Sequence, residues 1–178
     1  KYPFVQRKFD KERKVRILIE GDCAVDYKNV DESFKITNRL NRDRFEVWYM
    51  SYNANPKAEY RYDKFLHRVP YEKTPSVYAE CDILLKSSWL ESFSYPPIEM
   101  MATGGFCVVV PNNGNREYLV DGENGLLYPQ GDIDAAISAI EQICNNEALR
   151  QKLAKKGLET AEKRDWKVLK SDILKLYI

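Results

Sequence analysis

The chain has 178 residues, of which 44% are hydrophobic and 31% charged, with 28 lysines and arginines set against 27 aspartates and glutamates. That length suits one substantial domain with its own core, and the composition is that of an ordinary soluble protein. A formal charge of +1 leaves no footprint for nucleic acid, and no run of about eighteen apolar residues exists to span a membrane.

Residues 15–20, Val-Arg-Ile-Leu-Ile-Glu, read as a first strand that closes on Gly21-Asp22. Residues 31–40 have helical spacing, with Val30, Phe34, Ile36, Thr37 and Leu40 as the inner face. Residues 45–50 form a second strand, 51–60 are polar and turn-rich, and 65–69 suggest a short third strand. Thr74-Pro75 opens a helix that runs to Cys81, with Thr as cap and Pro at the first helical position. Residues 83–86 are a fourth strand and 106–110 a fifth, apolar throughout, as in strands covered on both faces. Asp121-Gly-Glu-Asn-Gly125 is a turn, and 126–128 a last short strand. Helices follow over 132–144, 147–163 and 165–177, the last with Trp166, Leu169, Ile173, Leu174 and Tyr177 at helical spacing. The basic cluster Arg150, Lys152, Lys155 and Lys156 reads as a solvated helix face.

This alternation predicts an α/β fold, a doubly wound, Rossmann-like parallel sheet with C-terminal helices, over residues 1–178 as a single domain. The start, Lys1-Tyr-Pro-Phe, lacks methionine and reads as the interior of something longer. Cys23, Cys81, Cys107 and Cys144 form no C-x-x-C pair and do not sit with His67, the single histidine, at zinc-ligand spacing. Reduced, mostly buried thiols in a cytosolic compartment are expected, with no metal site and no Cys/His catalytic pair.

Glu91-Ser-Phe-Ser-Tyr-Pro-Pro-Ile-Glu99 sits between the fourth strand and a helix that stops at Gly104-Gly105. In open α/β sheets such a turn lies on the ligand-binding edge. The helix is expected to begin near Pro97, which puts Glu99 in its first turn. A capping box does not account for Glu99: Pro96 as the cap has no amide to receive it, and Ser94 is too far away. A ligand role is the alternative, with the N–H groups of Phe93, Ser94 and Tyr95 free for an anion. Three loops should converge on this edge, 21–28, 87–96 and 111–117. Lys28 supplies a cation, Glu91 and Glu99 supply carboxylates, and Pro111-Asn-Asn-Gly-Asn115 supplies a close-bending backbone and hydroxyl-reading amides. A cation, anion-cradling amides and hydroxyl-reading carboxylates together describe a sugar attached to a diphosphate.

Glu91-x7-Glu99, then Met-Met-Ala-Thr-Gly-Gly, Val-Val-Val-Pro-Asn-Asn-Gly, Glu117 and Asp121-Gly-Glu-Asn-Gly-Leu-Leu-Tyr, resembles the retaining GT-B glycosyltransferases that use nucleotide sugars, over residues 15–177. The similarity is to the C-terminal, donor-binding half. It implies that Glu99 accepts hydrogen bonds from the donor ribose and that Glu91 contacts the transferred sugar near the reacting centre, as the catalytic residue. It implies that the amides of Ser92, Phe93 and Ser94 hold sugar hydroxyls or diphosphate, that Lys28 neutralises the diphosphate, and that Gly114 and Asn115 lie near the donor. No cofactor or bound metal is implied. Retention follows from front-face attack assisted by the donor's own phosphate oxygen, with neither glutamate the nucleophile. Asp22 stands where many members have arginine, Ser92 and Ser94 where many have glycine, and Asn29 where glycine is frequent.

The resemblance implies transfer of a sugar from a nucleotide-sugar to a glycan or lipid-linked acceptor in bacterial cell-surface polysaccharide synthesis. The setting is cytoplasmic, with peripheral association at the inner face of the membrane in the full-length parent and no nucleic-acid partner. The N-terminal acceptor domain is absent from this chain, so the final helix should leave apolar surface exposed. Three rivals stand beside it. A non-catalytic nucleotide-sugar-binding module shares the site. A sugar-nucleotide epimerase needs more acid/base groups than the lone His67. A receiver-type signalling domain needs an Asp on the third strand, and 65–69 carries none.

Overall fold

A computed structural model describes residues 2–9 and 12–175. Six parallel strands form one sheet in the order β3-β2-β1-β4-β5-β6. They are β1 (Val15–Glu20), β2 (Phe45–Ser51), β3 (Lys64–His67), β4 (Ile83–Lys86), β5 (Phe106–Val109) and β6 (Leu126–Leu127). The helices are α1 (Val30–Thr37), α2 (Thr74–Glu80), α3 (Tyr95–Ala102), α4 (Ile133–Asn145), α5 (Glu147–Glu162) and α6 (Trp166–Lys175).

The central strands explain the layering. Successive side chains of a strand point to opposite faces, so Ile17, Ile83, Leu85 and Val108 meet Ile36, Leu40, Ala136, Ile140 and Ile143 on one side. Leu18, Leu84, Cys107 and Val109 meet Val77, Tyr78, Met100 and Met101 on the other. A third cluster forms at the β2 end, where the Phe34 ring stacks on Tyr60 at 3.9 Å and meets Tyr49 edge-on at 5.2 Å. β1 pairs with β2 on one side and β4 on the other, so the strand order reverses at β1/β4. In this class of sheet a crevice opens outside the carboxyl ends at that point.

Some boundaries moved, for local reasons. α1 stops at Thr37, whose hydroxyl bonds back to Ser33 and Phe34 carbonyls, and Leu40 reaches the core from the turn beyond. A 3-10 turn, Tyr71–Lys73, runs straight into α2, so Thr74 is its first residue rather than its cap. α3 begins at Tyr95 with Ser94 as cap, two residues earlier than the Pro97 start. Pro96 and Pro97 lose nothing there, because first-turn N–H groups have no intrahelical acceptor. Glu99 therefore lies in the second turn.

The segment 2–9 packs along α2 and α3. Val5 N–H donates to the Thr103 carbonyl at 2.9 Å, and Arg7 donates to the carbonyls of Cys81 at 3.0 Å and Tyr78 at 2.9 Å. It fits closely because Gly104, at φ 79°, has no Cβ; one would stand 2.7 Å from the Val5 carbonyl oxygen. Asp82, fully buried, gathers the Arg13 guanidinium at 2.7 and 2.8 Å, the Arg16 amide at 2.8 Å and Arg7 at 3.8 Å.

The four thiols are free, three of them buried. Burial pushes the Cys81 thiol up to about 12 and Cys144 up to about 11, so neither is a thiolate at neutral pH. Arg150 departs from the solvated face expected of its cluster. It donates to the last carbonyls of α4, at Ile143 and Cys144, and covers the Phe9 ring. Lys152, Lys155 and Lys156 are exposed as expected. α6 leaves Trp166, Val168 and Leu174 exposed, matching the apolar surface expected of the final helix. The Ile173 side chain and Tyr177 lie outside the described residues.

Asp82→Ala should lower the unfolding free energy by about 3–5 kcal/mol, because it strands the buried Arg7 charge. Arg39→Ala, which breaks the exposed pair with Asp134, should cost no more than about 1 kcal/mol. Urea unfolding midpoints compare the two.

Candidate functional site

β1, β4 and β5 end side by side at Glu20, Lys86 and Val109, and the loops that follow them meet. Trp89 N–H donates to the Tyr27 carbonyl at 3.1 Å, which ties the 87–96 loop to the 21–28 loop. Ser94 N–H donates to the Gly114 carbonyl at 3.1 Å, and the Asn112 side-chain amide to the Ser88 carbonyl at 2.8 Å. These bonds tie the 111–117 loop to the same centre. The expected convergence of three loops is present.

Charged side chains line the junction. Lys28 Nζ lies 2.9 Å from both carboxylate oxygens of Glu91. Lys86 Nζ lies 3.2 Å from Glu91 Oε1 and 2.6 Å from Glu20 Oε2. The Lys86 side chain is 3% exposed, Glu91 11% and Lys28 23%, so the pair opens to solvent through Lys28. Burial by itself would raise the Glu91 carboxyl, but Lys86 and Lys28 outweigh it and hold it below the usual carboxylate range. Burial would likewise discharge Lys86, but Glu20 and Glu91 raise it above its ordinary value. Glu91 is thus an ionised acceptor. Lys86 and Glu20 were not singled out from sequence; the available signal was a lysine closing an otherwise apolar strand.

Lys28 ends a 3-10 turn, Asp26–Lys28, and Asn29 turns the chain into α1 with a left-handed backbone, φ 49°. Asparagine is among the few non-glycine residues that tolerate this region, so the change from glycine leaves Lys28 in place. The Asp22 carboxylate accepts from the Ala24 amide at 2.9 Å and shapes the loop. Arg116 is exposed and lines a hollow of about 450 Å³ with Trp89, Pro111, Leu127 and Tyr128.

Glu99 is half-buried and accepts from the Tyr2 phenol, with Tyr78 also facing it. Burial raises its carboxyl above the ordinary value, the two phenols oppose that, Glu20 adds to it and Lys86 counters it. Lys86 is therefore a charge common to both glutamates. A carboxylate has about four acceptor sites, so two phenols leave room for a ligand hydroxyl.

The remaining expected residues divide. The Gly114 backbone lies against Glu91: a Cβ there would stand 2.7 Å from the Glu91 carbonyl oxygen and 2.8 Å from Glu91 Cβ. Asn115 does not read hydroxyls. It is buried, its carbonyl oxygen accepts from the Asn112 amide at 2.8 Å and its NH₂ donates to the Val110 carbonyl at 2.9 Å, so it braces the loop instead. The Ser94 amide, expected to be free, is engaged by Gly114, while its buried Oγ has no hydrogen-bond partner among the described residues. Ser92 is exposed and Phe93 packs edge-on to Tyr95 at 4.8 Å; their amides have no acceptor among the described residues. Another hollow, about 710 Å³, lies at the opposite, amino-terminal edge, beside Phe9, Val15 and Arg44. Its charges are paired as well, Arg13 with Asp82 at 2.7 Å and Arg44 with Glu141 at 2.7 Å, but it lies away from the carboxyl ends of the strands.

A six-stranded parallel sheet reversing at β1/β4, with helices on both faces, defines a doubly wound, Rossmann-like α/β domain. The model of the family "Glycosyl transferases group 1" matches residues 57–160, and the chain belongs to that family. A phosphatidyl-myo-inositol mannosyltransferase of Mycobacterium leprae is 36% identical over 87 residues, 49% of this chain and 23% of that protein. Sucrose-phosphate synthase from Thermosynechococcus elongatus superposes with a TM-score of 0.79 at 18% identity, over 94% of this chain and 45% of its own. Anabaena Alr3699/HepE, solved in complex with UDP-glucose, gives a TM-score of 0.74 at 16% identity, over 86% and 45%. These structural neighbours share the GT-B glycosyltransferase fold. The chain spans less than half the length of each of these proteins.

Gly114→Ala should push the Glu91 backbone aside and lower stability by about 1–3 kcal/mol, seen as a fall in Tm. The depressed Glu91 carboxyl contributes stability in full above the ordinary glutamate value of about 4.3, and loses it as pH falls through its lowered value. Glu91→Gln lacks that contribution. The gap in Tm between wild type and variant should narrow on acidification from about pH 6 to about pH 3.

Proposed function

We propose that this chain is the donor-binding domain of a retaining glycosyltransferase that moves a sugar from a nucleotide-sugar to a glycan or lipid-linked acceptor. The observation that carries this is Glu91, ionised between Lys28 and Lys86 at the carboxyl edge of the switch point. Lys28, the more exposed cation, meets the diphosphate. The Ser92 and Phe93 amides offer two further donors at the helix mouth. Glu91 accepts a hydroxyl of the transferred sugar, and Glu99 accepts from the ribose beside its two phenols. Gly114 sets the height of Glu91, while Asn115 and Ser94 act through the loop rather than by direct contact.

This arrangement serves transfer by stabilising charge. As the sugar leaves, negative charge grows on the departing diphosphate, and a cation with oriented amides lowers the energy of that state without a metal. Glu91, ionised and close to the reacting carbon, favours the positive character that develops on the sugar. Its low pKa removes it as a proton donor, and front-face assistance by the donor phosphate supplies the base. HepE was solved with UDP-glucose and the M. leprae relative carries the name of a lipid mannosyltransferase, which supports a nucleotide-sugar donor and a lipid-linked acceptor. Polysaccharide synthesis at the cytoplasmic face of a bacterial membrane, with an acceptor domain supplied by the rest of a longer protein, completes the proposal.

Thermal-shift titration with UDP, GDP, dTDP and ADP tests it. One nucleotide should raise Tm by mass action, about 2.7 kcal/mol of stabilisation at a hundred times its Kd. Indifference to all four would reject the reading. In the full-length protein, Glu91→Gln should cut sugar transfer by about a hundredfold or more; unchanged transfer would leave a binding module instead.

A further inference from the structure

The cation assigned to the diphosphate is already engaged. Both oxygens of Glu91 hold Lys28 at 2.9 Å, so an arriving diphosphate must draw Lys28 away from a carboxylate. Were Lys28 the sole counter-charge, that exchange would strand a largely buried anion, an expensive state. Lys86 changes the balance. It sits 3.2 Å from Oε1 alone, is anchored by Glu20 at 2.6 Å, and is too buried to follow a ligand. Lys28 rides on a flexible stem beside the exposed Tyr27 ring, 5.6 Å from its centre. The two lysines therefore differ in the one property that matters here: Lys86 stays and Lys28 can move.

We propose that Lys86 is the resident counter-charge of Glu91 and Lys28 the transferable one, so that diphosphate binding exposes Glu91 Oε2 as the acceptor for a hydroxyl of the transferred sugar. Lys28 holds both oxygens and Lys86 holds Oε1, so departure of Lys28 frees Oε2 alone. The carboxylate remains ionised and fixed. Recognition of the sugar is thereby coupled to recognition of the diphosphate: a free sugar finds Oε2 occupied, and a donor opens it. Lys86 is a positioning residue in this scheme, acting through Glu91.

The inference rests on the donor-binding reading, and calorimetric titration of the full-length protein separates the two. The ligands are the nucleoside diphosphate that raises Tm and inorganic pyrophosphate as a base-free probe. Glu91→Gln should bind both about fivefold more tightly, because nothing competes for Lys28. Lys86→Met should bind both about tenfold more weakly, because Glu91 keeps its last cation. The double variant Lys86→Met/Glu91→Gln should recover the affinity of Glu91→Gln. A purely structural role for Lys86 predicts a loss that removing Glu91 does not repair. Weaker binding by Glu91→Gln overturns the proposal by itself, whether or not Lys86→Met folds, and so does an unrepaired double variant. A wild-type protein that binds neither ligand overturns the donor-binding reading and this inference together.

Discussion

Both faces of the sheet are closed. β1, β4 and β5 carry apolar residues to either side, and helices cover each. Polar chemistry is excluded from the interior of such a sheet, because an unpartnered polar group there is costly. It is confined to the ends, where the strands give way to loops. The reversal of strand order at β1/β4 leaves a gap at the carboxyl end that no crossover fills. Lys28, Glu91 and Gly114 are far apart in sequence and meet because their loops all leave from that edge.

The charges found there are arranged by depth. Lys86 is the deepest, held by Glu20 from the neighbouring strand. Glu91 sits above it and Lys28 is outermost. Each buried charge has its partner, the condition under which ionised groups persist in a poorly solvated place. In the proposed scheme the outer cation is the one a ligand reaches, and the inner cation stays with the carboxylate when the outer one is engaged.

Glu99 shows how packing alters a reading drawn from local sequence. Two prolines suggested a helix beginning at Pro97, with Glu99 at its mouth. The helix accommodates both prolines in its first turn, and Glu99 moves a turn deeper, to face the phenols of Tyr2 and Tyr78. The carboxylate keeps acceptor capacity, but its surroundings raise its proton affinity where those of Glu91 lower it. Two glutamates eight positions apart thus acquire opposite electrostatic character from their neighbours.

The order of strands and helices, the switch-point edge and the residues Lys28, Glu91, Glu99 and Gly114 were legible in the amino-acid sequence. Hydrophobic periodicity and the punctuation of glycine and proline are local properties, and the alternation they reveal admits few topologies. The fate of the Asn115 amide, the engagement of the Ser94 N–H, the depth of Glu99 and the pairing of Lys86 with Glu20 and Glu91 were not legible. Each depends on which groups from distant segments come within hydrogen-bond reach. A lysine at the end of a buried strand looks like an interruption when read along the chain. Only the neighbouring strand and the returning loop, each bringing a carboxylate to within about 3 Å, make it the fixed charge on which the site is built.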